Sequence, residues 1–220
     1  MRKVITGAFV SLDGVMQAPG GPEEDPTGGF RFGGWVWPHA DEGFGQAVDT
    51  LFAAPYDLLL GRKTYEIFAA HWPYQGDDDP IARSFNAVTK YVATRKGVPL
   101  TWERSVALHD AAADVARLKK EDGPNLVTQG SSELIQTLLA HDLIDELRVF
   151  IFPILLGRGK RLFGEGTKPA GLKLVAHKVT TPGVAICSYQ RAGAVATGSF
   201  AMNPPSEAEL KRRERMKQEG

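Results

Sequence analysis

The chain has 220 residues and a single cysteine, Cys187. One cysteine excludes an internal disulfide and a cysteine-based zinc site. Its flanks, Val184-Ala185-Ile186 and Tyr189, have strand character, so Cys187 is expected to be a core thiol rather than a nucleophile. Neither sign of charge is in excess: Lys+Arg and Asp+Glu both number 26. A neutral chain lacks the basic surface that sequence-independent nucleic-acid binding needs. No apolar run approaches the roughly 18 residues of a membrane span. Met1-Arg2-Lys3 leads into a short strand pattern with no signal-peptide character. A soluble protein of the reducing cytoplasm is the expectation. The histidines (His39, His71, His109, His141 and His177) are scattered, with no close pair to hold a metal. No strand-turn-helix carries Gly-x-Gly-x-x-Gly. Leu156-Gly157-Arg158-Gly159-Lys160-Arg161 fails as a P-loop, because the spaced glycine is missing and Arg161 replaces Ser/Thr.

Hydrophobic residues make up 43% of the chain, enough for one packed domain. Short apolar, β-branched runs predict strands over residues 4–10, 56–60, 90–94, 125–129, 146–152, 172–179 and 184–191. Apolar spacing predicts helices over 41–53, from Gly61 to about 71, 110–120 and 133–140. Asp77-Asp78-Asp79-Pro80 predicts the cap of a short helix through Phe85. Residues 11–40 form a long Gly/Pro-rich loop carrying Phe30, Phe32, Trp35 and Trp37, which covers either a ligand or the core. From Pro204 a charged helix with few apolar residues runs to Gly220, a solvated or partner-docked tail. Strands alternate with helices and the chain ends in a hairpin. The class is α/β, a mostly parallel sheet with an antiparallel edge.

Ligands in open α/β sheets sit beyond the carboxyl ends of strands, and three such ends suit anions. In Gly61-Arg62-Lys63-Thr64, a glycine leads into a helix N-terminus beside two cations and a hydroxyl. In Gln129-Gly130-Ser131-Ser132, a glycine again opens a helix, now with two serines, although Ser131 serves equally well as an ordinary cap. Thr94-Arg95-Lys96 offers a hydroxyl and cations suited to a phosphate monoester. Two such sites match a pyrophosphate and a third a separate phosphate. That combination describes NADPH better than NADH.

The ordered set Ser11-Leu12-Asp13-Gly14, Leu60-Gly61-Arg62-Lys63-Thr64-Tyr65-Glu66, Lys90-Tyr91-Val92-Ala93-Thr94-Arg95, Val127-Thr128-Gln129-Gly130-Ser131-Ser132-Glu133-Leu134, Ile144-Asp145-Glu146-Leu147 and Pro153-Ile154-Leu155-Leu156-Gly157-Arg158-Gly159-Lys160-Arg161-Leu162-Phe163 resembles the dihydrofolate-reductase-like superfamily. It is most similar to the reductase domain of the bacterial riboflavin-biosynthesis deaminase/reductase. The resemblance spans residues 2 to about 191 and implies a three-layer α/β/α fold that binds NADPH. By motif match, Gly61, Arg62, Lys63 and Thr64 would meet the cofactor phosphates, and Thr94 and Arg95 the 2′-phosphate. Gln129, Gly130, Ser131 and Ser132 would hold the pyrophosphate, and Ala8 would lie by the nicotinamide carboxamide. Relatives commonly carry three glycines where this chain has Gly130-Ser131-Ser132.

The resemblance also implies a reductase passing hydride to a small heterocyclic or sugar-like substrate. The ribosylamino-pyrimidine of riboflavin synthesis and dihydrofolate are the nearest named examples. The alternative is a non-catalytic nucleotide-binding or interaction protein of the same fold. Asp41, after Trp37-Pro38, is a candidate proton donor or a helix cap, and Asp13 orients substrate or closes its own turn. Trp35 and Trp37 are candidate substrate-covering residues, and Lys160 and Arg161 a candidate site for a substrate phosphate. Residues 1–193 are expected to form the reductase domain and 194–220 the tail. The resemblance further implies a homodimer.

Overall fold

The computed structural model describes residues 1–76, 78–201 and 203–219. The strands are β1 (Val4–Ser11), β2 (Tyr56–Gly61), β3 (Lys90–Ala93), β4 (Ser105–Leu108), β5 (Asn125–Gln129), β6 (Glu146–Phe152), β7 (Leu172–Val179) and β8 (Ala185–Arg191). The helices are α1 (Glu42–Leu51), α2 (Arg62–Ala69), α3 (Pro80–Ala87), α4 (Ala111–Leu118), α5 (Ser132–Ala140) and α6 (Glu207–Glu219). All eight strands form one sheet in the order β4-β3-β2-β5-β1-β6-β8-β7. Pairing from β4 through β6 is parallel, and β8 and β7 add an antiparallel edge.

Parallel strands buried on both faces read as continuous apolar runs. β1 and β2 do so, with Val4, Ala8, Leu58, Leu59 and Leu60 all fully buried. One apolar cluster forms around Phe85, Tyr56 and Trp102, and another joins β5, α4 and α5 through Leu126, Val115 and Leu138. Because β1, β2, β3 and β5 run parallel, the turns that follow them gather at one edge of the sheet. The strand order sets these turns out in sequence, β3 at one side and β1 at the other.

Several elements depart from the sequence expectation. β4 is an edge strand of four residues that sequence periodicity does not mark; only Leu108 of the four is buried. Cys187 lies on β8 as expected but is half-buried rather than in the core. The cap of α3 is Asp79, whose Oδ1 accepts from the amides of Ile81 and Ala82; Asp77 of the same motif lies outside the described residues. α6 carries no buried residue, and Gly220, at the end of the expected tail helix, also lies outside them.

The ends of β1 and β6 are tied together through one side chain. Asp13 accepts from Ser11 Oγ at 2.5 Å and from the amides of Leu156 and Gly157 at 3.1 and 2.8 Å. These hydrogen bonds, Ser11's first, outweigh the cost of burial and hold the Asp13 carboxyl at about 2. Across the sheet, Arg2 pairs with the buried Asp57 and donates from Nε to the Pro124 carbonyl at 2.6 Å, so the first residues strap onto the domain.

Candidate functional site

The turns after β2, β3 and β5 line a single cleft of about 690 Å³, which the loop after β1 closes at its other end. The structure brings Gly61, Arg62, Lys63, Thr64, Thr94, Arg95, Gln129, Gly130, Ser131, Ser132 and Lys160 onto its wall. Ala8 is fully buried in β1 and does not reach the surface of the cleft, whereas its neighbour Phe9 does.

Helix capping sets this edge apart. A helix begins with amides that lack intrahelical partners, and a preceding Asp normally satisfies some of them. α1, α3 and α4 each begin with such an Asp: Asp41, Asp79 and Asp110. α2 and α5 have no side-chain cap, and both open into the cleft. Their first-turn amides and positive dipole ends therefore face the cleft without a side-chain cap.

Ser131 occupies the N-cap position of α5 but does not cap it. Its backbone is left-handed, with φ +67°, an uncommon conformation for a residue with a Cβ. That geometry turns the hydroxyl across to the β2–α2 turn. Oγ accepts from the Gly61 amide at 2.8 Å and donates to Thr64 Oγ1 at 2.7 Å. The amide of Gly61, a residue expected to meet the cofactor phosphates, is thus taken by Ser131. Gly61 is required for space rather than for its φ of −78°, since a Cβ there would lie 2.9 Å from Ser131 Oγ. One serine clasps the turns after β2 and β5 together.

At the β3 side, Thr94 Oγ1 is buried with no hydrogen-bond partner among the described residues. It stands at the strand end beside Arg95, with His109 Nδ1 3.2 Å from its carbonyl. Buried hydroxyls are normally satisfied; Thr6 Oγ1, inside β1, is the other one without a partner among the described residues. Arg62 is drawn to Glu66 at 2.6 Å, and Glu133 adds a carboxylate at the start of α5.

The β1 end differs in chemistry. Phe9, Met16, Ala18, Pro19 and Val36 supply an apolar wall, and its ionisable groups are Glu24, Asp25 and Lys160. Lys160 Nζ is paired with Asp25, while its amide donates to Gln17 Oε1 at 3.0 Å. Gln17 Nε2 in turn donates to the carbonyls of Asp25 and Thr27, both at 2.9 Å. Burial pushes Asp25 up, but the hydrogen bonds from Lys160 and Thr27 outweigh it and leave its carboxyl below the ordinary value. Glu24 moves the other way. Burial raises it, and the amides of Gly20 and Gly21, at 2.5 and 3.2 Å from Oε2, recover only part of the cost.

The remaining expected site residues lie off the cleft wall. Asp41 is a helix cap: it accepts from the Phe44 amide at 2.7 Å and from the Thr181 amide at 3.2 Å. Asp13 closes the β1 and β6 turns. Trp35 is core, its Nε1 donating to the Gln17 carbonyl at 2.8 Å and its ring packed edge-on against Phe152. Trp37 is 83% exposed. Arg161 reaches back to the carbonyls of Asp13 and Gly157 rather than into the cleft. Sequence reasoning missed Glu24 and Asp25, since no spacing signal shows which way a Gly/Pro-rich loop folds.

This sheet order, with helices flanking it and a ligand-sized cleft at the carboxyl edge, defines the dihydrofolate-reductase-like α/β fold. Residues 2–186 match the RibD C-terminal domain, and the chain belongs to that family. It is 30% identical to the uncharacterised protein YwjB of Bacillus subtilis (strain 168) over 187 residues, covering 80% of this chain and 91% of YwjB. A putative riboflavin biosynthesis protein from Shewanella sp. PV-4 superposes with a TM-score of 0.55 at 24% identity, over 86% of this chain and 99% of that one. Dihydrofolate reductase from Enterococcus faecalis, solved with NADP(H) and RAB-propyl, gives a TM-score of 0.54 at 16% identity, over 86% of this chain and 96% of that one. Among the described residues no helix is long and apolar enough to cross a membrane, and no group of three or more His, Cys, Asp or Glu is placed to hold a metal ion.

Proposed function

We propose that this protein is an NADPH-dependent reductase of a small heterocyclic substrate. The observation that carries the reading is the pair of uncapped helix N-termini, α2 and α5, opening into one cleft beside Thr94 and Arg95. The first turns of α2 and α5, with Lys63, Thr64, Gly130 and Ser132, would hold the pyrophosphate. Thr94 and Arg95 would hold the 2′-phosphate, where a guanidinium and a hydroxyl give charge-assisted hydrogen bonds. NADPH supplies hydride chemistry when bound; the chain's work is to bind, align and exclude water.

The apolar wall made by Phe9, Met16 and Val36 lies at the β1 end of the same cleft, the side left for the substrate. Neither Trp35 nor Trp37 fills that space, which favours the enzymatic reading over a non-catalytic binding protein. Pairing of two copies belongs to the same proposal. The edge strand β7 supports it, with Leu172, Leu174, Val175 and Val179 all exposed; light scattering after size exclusion would read the mass directly.

The test is equilibrium binding. NADPH and NADP⁺ are expected to bind more tightly than NADH, and Arg95→Ala to cost about tenfold for the phosphorylated forms alone. Equal affinity for NADH and NADPH would contradict the assignment of Thr94 and Arg95.

A further inference from the structure

The hydroxyl groups that join the turns after β2 and β5 form hydrogen bonds of fixed direction. The Gly61 amide can only donate, so Ser131 Oγ accepts from it at 2.8 Å. The one hydrogen on Ser131 Oγ goes to Thr64 Oγ1 at 2.7 Å. Thr64 Oγ1 is therefore the acceptor on the Ser131 side, and its own hydrogen has no acceptor among the described residues. The Gly130 carbonyl, in the adjoining turn, is engaged elsewhere, by Thr128 Oγ1 at 3.1 Å. Thr64 stands in the first turn of α2 and lines the cleft.

The result is a chain of donors that runs from the Gly61 peptide through Ser131 to Thr64. A hydroxyl that already accepts one hydrogen bond donates the next more strongly. A threonine hydroxyl left alone rotates and serves as donor or acceptor alike. Here Ser131 holds Thr64 Oγ1 as an acceptor, so the Thr64 hydrogen is turned away from Ser131 and left for a ligand. Glycine at position 131 would relieve the left-handed φ of +67°. It would also remove the link between Gly61 and Thr64, and the Thr64 hydroxyl would rotate freely.

We infer that Ser131 is a positioning residue for Thr64: it fixes the Thr64 hydroxyl as a donor to an anionic oxygen held between the N-termini of α2 and α5. This inference rests on the reading that these two turns take the cofactor pyrophosphate. Ionised phosphate oxygens only accept hydrogen bonds, so a hydroxyl already set as a donor meets them without reorienting. Ser131 acts through Thr64 rather than on the ligand, since its hydroxyl is used in both directions inside the protein.

The test is a double-mutant cycle on the full chain, with Ser131→Ala, Thr64→Val and the variant carrying both. Calorimetry reads the affinity of each for NADP⁺ and, separately, for inorganic pyrophosphate. Thr64→Val should weaken NADP⁺ about tenfold, through loss of one hydrogen bond to a charged group. Ser131→Ala should weaken it about threefold to fivefold, because the Thr64 hydroxyl is still present but no longer oriented. The double variant should bind no more weakly than Thr64→Val alone, since Ser131 acts through the hydroxyl already removed. A merely structural loosening would instead weaken binding again in the Thr64→Val background. Thermal unfolding reports whether each variant folds. If Ser131→Ala does not, Ser131→Gly, which lacks the same hydroxyl without the left-handed cost, completes the cycle. Losses that multiply, or an affinity unchanged or improved by Ser131→Ala, would overturn the inference. If NADP⁺ fails to bind while pyrophosphate binds and shows the expected cycle, the proposed function falls and the role of Ser131 stands. If neither binds, the inference falls as well.

Discussion

Ser131 concentrates the tension between stability and function in one residue. Its left-handed φ of +67° is a cost that glycine would not carry. Its hydroxyl repays that cost by bridging Gly61 and Thr64. The two contributions separate by substitution. Ser131→Ala keeps the strained backbone and loses both hydrogen bonds, so thermal unfolding should show a loss of about 1–2 kcal/mol. Ser131→Gly loses the same hydrogen bonds but relieves the backbone, and should cost less than the alanine variant. Equal losses would mean that the left-handed conformation carries no strain. The Arg2–Asp57 pair is a second residue-scale device, with side chains only 3% and 11% exposed. Asp57→Ala leaves a buried guanidinium uncompensated and should cost about 3–5 kcal/mol in urea unfolding. Replacing both with apolar residues should recover most of that loss.

Among the elements, the sequence was most legible where local chemistry decides. Apolar spacing together with an Asp at the start marks α1, α3 and α4, and each Asp caps its helix in the structure. Glycine and hydroxyl at a strand end, with cations after β2 and β3, mark the turns that line the cleft. Legibility ends where placement depends on long-range folding. β4 has four residues at a sheet edge and one buried side chain, too little for periodicity to register. The 11–40 loop carries both the aromatics, Trp35 and Trp37, and the acids, Glu24 and Asp25. Only its tertiary course shows that the acids face the cleft and the tryptophans do not.

Asp13, on the same loop's first turn, gives an element-scale prediction. Its carboxyl is held at about 2, first by Ser11 and then by the Leu156 and Gly157 amides. The folded value lies below the unfolded one of about 3.9. The stabilisation it provides is therefore complete above about pH 4 and is lost as the pH falls through about 2. Wild-type protein should exceed Asp13→Asn in urea midpoint at pH 5, and the gap should narrow steadily towards pH 2. A gap independent of pH would show that the ionised carboxylate is not what ties β1 to β6.

On the scale of the whole molecule, six parallel strands deliver the turns that follow them to one edge, and the strand order spreads them into a cationic side and an apolar, carboxyl-bearing side. α6 stands apart from this design with no buried residue. Removing residues 198–220 should leave the melting temperature within about 2 °C of wild type, consistent with surface-level effects; a larger fall would make the tail part of the domain. The central claim is that the cleft is a site for NADPH, with the third phosphate read by Thr94 and Arg95. Trp72 lines the cleft and provides an intrinsic fluorescent reporter. The most direct measurement is a fluorescence titration with NADPH, NADP⁺ and NADH on wild-type protein and Arg95→Ala. The account expects the phosphorylated cofactors to bind more tightly, with that preference lost in the variant. No binding of any nicotinamide nucleotide at millimolar concentration would contradict it.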